Sequence, residues 1–151
     1  VLIDSFLEVP LNAKILDDSL GGHTVVVCGL VEVNHFEKMS QTLREKNVTL
    51  VSLPDASNSK GKVDLSALFQ YLAEKLHINE VHVEAGFKLN GSLIREGCVD
   101  ELLIYMAPKL LGDGMGMAYL PALDTLDNVS SWDLIDHTSI GNDLRIRLKK
   151  D

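Results

Sequence analysis

The sequence predicts an α/β fold: a mostly parallel central sheet that finishes in an antiparallel hairpin. Three observations predict it. "HTVVVCG" is continuously apolar and β-branched, the mark of a strand buried on both faces. Strand-like and helix-like segments alternate through about residue 105. After them, "SWDLIDHTSI" and "DLRIRLKK" alternate more strictly around "GND", as the two arms of a hairpin do.

Each element follows from its own pattern. Val1 to Ile3 is a short apolar run before Asp4 and Ser5 and reads as the end of a strand. Residues 6 to 22 are mixed, end on Gly21 and Gly22, and read as loop. Asn34 can cap the helix "HFEKMSQTLREKN", with Phe36, Met39 and Leu43 on one face. "VTLVSL" is the next strand, and "PDASNSKGK" is a polar, turn-rich loop. Asp64 can cap "LSALFQYLAEKLH", where Leu65, Leu68, Leu72 and Leu76 recur at helical spacing and form core. "EVHVE" reads as a strand, and Leu89 to Glu96 as a short helix stopped by Gly97. "DELLIYMAP" is a further strand, followed by a glycine-rich loop from Leu111 to about Tyr119. No internal repeat or interdomain linker is evident, so residues 1–151 are expected to form one domain.

Composition narrows the function. The chain has 151 residues, 46% of them hydrophobic and 24% charged, as in a folded domain with a real core. A net charge of −8 argues against nonspecific nucleic-acid binding, which needs clustered Lys and Arg. No apolar run approaches the roughly 18 residues that span a bilayer, and no signal-peptide pattern is present, so a cytoplasmic location is expected. Cys28 and Cys98 fit no metal or redox spacing and read as reduced, mostly buried thiols. The glycosylation sequons at Asn47, Asn90 and Asn128 read as chance matches. The chain opens on Val1, already strand-like, and is expected to begin inside a larger protein.

The densest chemistry lies in "VEAGFKLNGSL", Val83 to Leu93. Ligands on parallel sheets sit beyond the carboxyl ends of the strands, where helix N-termini also point. Glu84 falls at such an end. It can be a capping or salt-bridged acid, or a hydrogen-bond acceptor for a polar substrate. Gly86 and Gly91 lack Cβ atoms, so "GFKLNGS" can cradle a phosphate or serve only a tight strand-to-helix connection. It is neither a Walker A loop nor G-x-G-x-x-G. Asp113, alone between glycines, is a poor site for a divalent cation. His23, His35, His77, His82 and His137 show no ligand spacing, so no metal is expected. No G-x-S-x-G elbow is present, and no residue stands out as a catalytic acid, base or nucleophile.

The run "VEAGFKLNGSLIREGCVDELLIYMAPKLLGDG" resembles the C-terminal reductase domain of the bifunctional riboflavin-biosynthesis deaminase/reductase. Val83, Glu84, Ala85, Gly86 and Leu89 match its V-E-G/A-G-P-x-L pattern. Gly97, Val99, Asp100, Glu101 and Leu102 follow its G-L-V-D-E-L, and Ala107, Pro108, Leu110, Leu111 and Gly112 its A-P-x-L-L-G. "VLIDS" fits a family strand that ends in Asp-Ser. The resemblance covers essentially the whole chain and is strongest from 81 to 114. It implies a dihydrofolate-reductase-like fold and NADPH-dependent reduction of 5-amino-6-(5-phosphoribosylamino)uracil, with hydride delivered to C1′ of the opened ribose. It implies that Glu84 contacts the substrate. Ser5 and the turn Gly86, Phe87, Lys88, Leu89, Asn90, Gly91 and Ser92 would then hold NADPH. It also implies a homodimer.

Two residues depart from the pattern: Phe87 stands where Pro is usual, and Lys88 where a small polar residue is common. Phe87 loosens a preset backbone angle, while Lys88 can pair with a cofactor phosphate or point into solvent. The family's first strand and substrate loops, and its deaminase half, are expected to lie outside these residues. Two alternatives stay open: a related reductase acting on another pteridine-like or pyrimidine substrate, or a non-catalytic nucleotide-binding or dimerisation module. Pattern alone does not separate NADPH from NADH.

Overall fold

A computed structural model describes residues 1–57, 61–122, 125 and 129–150. The sequon at Asn128 and part of the "PDASNSKGK" loop lie outside the described residues. The chain divides into two compact units, Val1–Val81 and His82–Asp151.

The first unit is built on a parallel sheet of β1 (Leu2–Ile3), β2 (Thr24–Cys28) and β3 (Val48–Ser52), in that order. In register, Leu2 lies opposite Val26 and Val26 opposite Leu50. The central strand is sealed: Val25 is 2% exposed, and Val26, Val27 and Cys28 are 0% exposed. Alternate side chains leave a strand on opposite faces. Val26 and Cys28 therefore share one cluster with Leu7, Leu16, Met39, Leu43 and Val48. Val25 and Val27 need cover on the other face.

Two helices follow the strands. Helix α1 (Val33–Glu45) buries Met39 and Leu43, and Phe36 packs against the same cluster. Its cap is Glu32, not Asn34: the Glu32 carboxylate accepts from the N–H groups of Asn34 and His35 at 3.2 and 3.0 Å. Asn34 already lies inside the first turn, so it supplies an orphan donor and not the acceptor. After α1, Asn47 takes a left-handed φ of 58°, a role open to Asn just past a helix end. Helix α2 (Leu65–Leu76) is capped as expected, Asp64 accepting from Ala67 N–H at 2.9 Å. It buries Leu65, Leu68 and Leu72, with Leu76 half-buried. The expected loop of residues 6 to 22 holds two short 3-10 turns, Lys14–Leu16 and Asp18–Leu20.

"EVHVE" is not a strand among the described residues, which corrects the expectation from its alternation. A strand is defined by its ladder, and no ladder pairs this run. Val81 and Val83 remain 38% and 43% exposed.

The second unit holds helix α3 (Phe87–Arg95), two residues longer at its start than expected, and an antiparallel sheet. The sheet comprises β4 (Glu101–Met106), β5 (Trp132–Ile140) and β6 (Asp143–Lys150), in the order β4-β6-β5. Parallel and antiparallel strands are thus both present, in two separate three-stranded sheets. Gly97 stops α3 at φ 71°, with Gly97 N–H bonded to Ile94 and Cys98 N–H to Leu93, a Schellman ending. Gly141, at φ 59°, occupies the first central position of the β5–β6 turn, where a type II′ hairpin requires it.

On one face of this sheet Leu102 lies opposite Leu148 and Ile104 opposite Ile146. The other face carries a charge network. Arg147 makes a two-pronged contact with Glu101 at 2.8 and 2.9 Å and reaches Asp136 at 3.8 Å, while Arg145 holds Asp136 at 3.0 Å. The hydrogen bonds from Arg147 pull the Glu101 carboxyl below its ordinary range. Neither cysteine is in a disulfide; Cys28 is buried and Cys98 half-buried. Burial pushes the Cys28 thiol upward.

The Glu101 clamp sets a pH dependence. Its folded-state pKa is lowered, so its stabilisation is complete above about pH 5 and disappears as pH falls through the depressed value. Thermal unfolding of wild type and Glu101→Gln should therefore differ at neutral pH and converge in acid. A gap that persists below about pH 3 would show that the charge is not its source.

Candidate functional site

The carboxyl ends of the three parallel strands gather one set of residues. Asp4 and Ser5 follow β1, Gly29 follows β2, and Ser52 ends β3. Ser5 accepts through its carbonyl from Gly29 N–H at 3.1 Å, and the Ser52 hydroxyl donates to the Gly29 carbonyl at 3.2 Å. Gly29 has to be glycine: a Cβ there would meet the Gly61 carbonyl oxygen at 1.9 Å. The turn that carries Ser5 is tied at several points. Asp4 Oδ2 accepts from Val9 N–H at 2.7 Å, and His35 Nε2 donates to the Leu7 carbonyl at 2.9 Å. Leu7 itself sits at φ 59°, a left-handed conformation that costs a non-glycine residue ~1–2 kcal/mol.

The second set lies at the start of α3. Gly86 is its N-cap, in extended geometry, and no side chain caps the helix. A Cβ at Gly86 would meet nothing within 4 Å. The first-turn N–H groups, from Phe87, Lys88 and Leu89, have no partner inside the helix and carry partial positive charge. Lys88 is exposed and makes no ion pair among the described residues. Uncapped donors, open space at Gly86 and an adjacent cation suit an anionic group such as a phosphate.

The rest of the Gly86–Ser92 turn is engaged by the chain itself. Gly91 is buried because the backbone of Tyr119 crosses it; a Cβ would come within 2.0 Å of the Tyr119 carbonyl oxygen. Phe87 accepts from Tyr119 N–H at 2.8 Å, and the two rings meet edge to face at 5.6 Å. The Asn90 amide donates to the carbonyls of Ala85 and Met117 at 3.1 and 2.9 Å. Arg95 donates to the Tyr119 carbonyl and, at 3.0 Å, to the Ser92 hydroxyl. The glycine-rich loop expected before Tyr119 therefore ends as a strap on α3. Sequence reasoning passed over Met117, Tyr119 and Arg95, because a strap of main-chain contacts leaves no spacing signal.

Glu84 precedes Gly86 by two residues. Its side chain is 89% exposed, with His82 Nε2 at 3.6 Å as the neighbour that pairs with it. The buried strand end that would have made its charge costly is absent here. Among the described residues no group of His, Cys, Asp and Glu is placed to hold a metal, and no helix is long and apolar enough to cross a membrane.

Comparison with known proteins decides the family. Residues 1–146 match the model of the RibD C-terminal domain. The chain belongs to that family. The riboflavin biosynthesis protein RibD of Escherichia coli is 41% identical over 90 residues, which are 59% of this chain and 24% of that protein. The 5-amino-6-(5-phosphoribosylamino)uracil reductase of Buchnera aphidicola from Acyrthosiphon pisum is 37% identical over 75 residues, 50% of this chain and 34% of that one. Among solved structures, RibD of Acinetobacter baumannii superposes with a TM-score of 0.78 at 25% identity, covering 99% of this chain and 36% of its own. The chain thus spans about a quarter of the E. coli RibD that it matches. The fold is that of the RibD reductase domains, the dihydrofolate-reductase-like class that the resemblance implied.

The glycines separate by experiment. Gly91→Ala should lower the unfolding free energy by about 1–3 kcal/mol, because the strap has to move. Gly86→Ala should stay within about 0.5 kcal/mol of wild type, since its Cβ enters open space. Chemical denaturation of the two variants measures both, and equal effects would contradict the packing described.

Proposed function

We propose that the chain is the reductase part of a riboflavin-pathway protein. In this reading it serves the NADPH-dependent reduction of 5-amino-6-(5-phosphoribosylamino)uracil to its ribitylamino product. Membership of the RibD C-terminal domain family carries the reading. The relative named for that uracil reductase supports the substrate, a small phosphorylated aminopyrimidine.

The residues at the start of α3 fit the cofactor's phosphates. Gly86 gives close approach, the N–H groups of Phe87, Lys88 and Leu89 point donors at an anion, and the Lys88 ammonium adds charge. Asn90, Gly91 and Ser92 back that turn by holding the strap and Arg95. Ser5 offers a hydroxyl at the carboxyl end of β1. Glu84 supplies an exposed carboxylate that can accept hydrogen bonds from a pyrimidine amine or a ribose hydroxyl. The nicotinamide supplies the hydride; these residues bind and orient. The assembly is a homodimer and the location cytoplasmic in this reading.

Calorimetric titration with NADPH and then NADH tests it. Saturable binding that favours NADPH is expected, and Gly86→Ala, still folded, should weaken it about tenfold, or ~1.4 kcal/mol. Absence of binding to either dinucleotide would defeat the reading for this chain.

A further inference from the structure

The turn after β1 holds one shape against a strained residue. Leu7 is left-handed at φ 59° while its side chain is 1% exposed. Its carbonyl is taken by His35, and the turn is closed by Asp4 Oδ2 on Val9 N–H at 2.7 Å. Such strain persists only where the surroundings over-determine it, and it gathers at ligand clamps. The residues this turn displays include Phe6 and Glu8, with Ser5 half-buried beside them.

Phe6 is 56% exposed, between a half-buried serine and a buried leucine. Its ring edge lies beside Gly61, for a Cβ at that glycine would be 3.2 Å from it. Leu30, 69% exposed, adjoins the same glycine through its carbonyl, 3.3 Å from that Cβ position. A half-exposed aromatic ring with Gly61 against its edge therefore stands beyond the carboxyl ends of a parallel sheet, where such sheets take ligands.

We propose that Phe6 is a stacking platform for a planar heteroaromatic base of the dinucleotide, set in place by the strained turn that Asp4 and His35 hold. The inference rests on the dinucleotide reading above and adds a second contact beside Ser5. A base offers a π face to an aromatic ring, and a ring on a turn whose backbone is already held costs less ordering on binding. Asp4 and His35 are positioning residues, since they touch the turn and not the ligand.

The test is calorimetry on the full chain with NADPH, and with 2′,5′-adenosine diphosphate and nicotinamide mononucleotide as its two halves. Phe6→Ala should weaken NADPH and one of the halves roughly five- to a hundredfold, and that half names the base. Phe6→Trp should bind like wild type, and both variants should keep the wild-type unfolding midpoint because the side chain is exposed. His35→Ala should weaken the same half, with His35→Gln, which keeps a donor, restoring it. Unchanged affinity in Phe6→Ala, with wild type binding normally, would overturn the stacking and leave the dinucleotide reading standing. Equal losses in Phe6→Ala and Phe6→Trp would mark the ring as structural and also overturn it. A wild-type chain that binds none of the three probes would remove the dinucleotide reading and this inference with it.

Discussion

Strand β2 has no wet face, and the rest of the first unit follows from that. Val25, Val26, Val27 and Cys28 cannot be satisfied by one layer, because alternate side chains leave on opposite sides. Parallel neighbours need crossovers, and the β2–β3 crossover is helix α1, whose Met39 and Leu43 join Val26 and Cys28 in one cluster. That arrangement fixes which end of the sheet carries the loops. Ser5 and Gly29 then meet at the carboxyl end through a main-chain hydrogen bond, and the Ser52 hydroxyl joins them at the Gly29 carbonyl, whatever their separation in sequence.

The second unit depends on a different constraint, the closeness of backbone to backbone. At Gly91 the Tyr119 carbonyl occupies the place of a side chain, so the strap and the helix are fitted to each other. Phe87, Asn90 and Arg95 each spend their contacts on keeping that strap. What remains open is the first turn of α3, with Gly86 and Lys88. Division of labour within seven consecutive residues lets one short segment be a rigid support on one side and an anion-accepting surface on the other. Phe87, the departure from the usual proline, acquires a reason: its ring packs on Tyr119.

Most elements were legible because each carries its own period. The Asp64 cap, the α2 leucines and the hairpin around Gly141 are local statements, and local chemistry settled them. Asn34 misses the cap because Glu32, a less favoured capping residue two positions earlier, starts the helix sooner and takes the N–H groups of Asn34 and His35. "EVHVE" shows the limit of alternation. A period of two states a preference for extended backbone, but a strand needs a neighbour, and no sequence pattern within five residues names one. The division of strands between two sheets was illegible for the same reason.

Residue identity and short-range spacing are enough to read the family, the helices and their buried faces, and the glycine turn at Gly86. The sequence also placed the fold in the right class before any coordinates. Which residues of that turn are still available follows from packing, since Tyr119 lies far from Gly91 in sequence and reaches it through main chain alone. The left-handed Leu7 and the approach of Phe6 to Gly61 likewise emerge only in three dimensions. Nothing in "DSFLEV" signals that His35 and Gly61 come to meet it, because contacts between distant segments are set by the packing around β2.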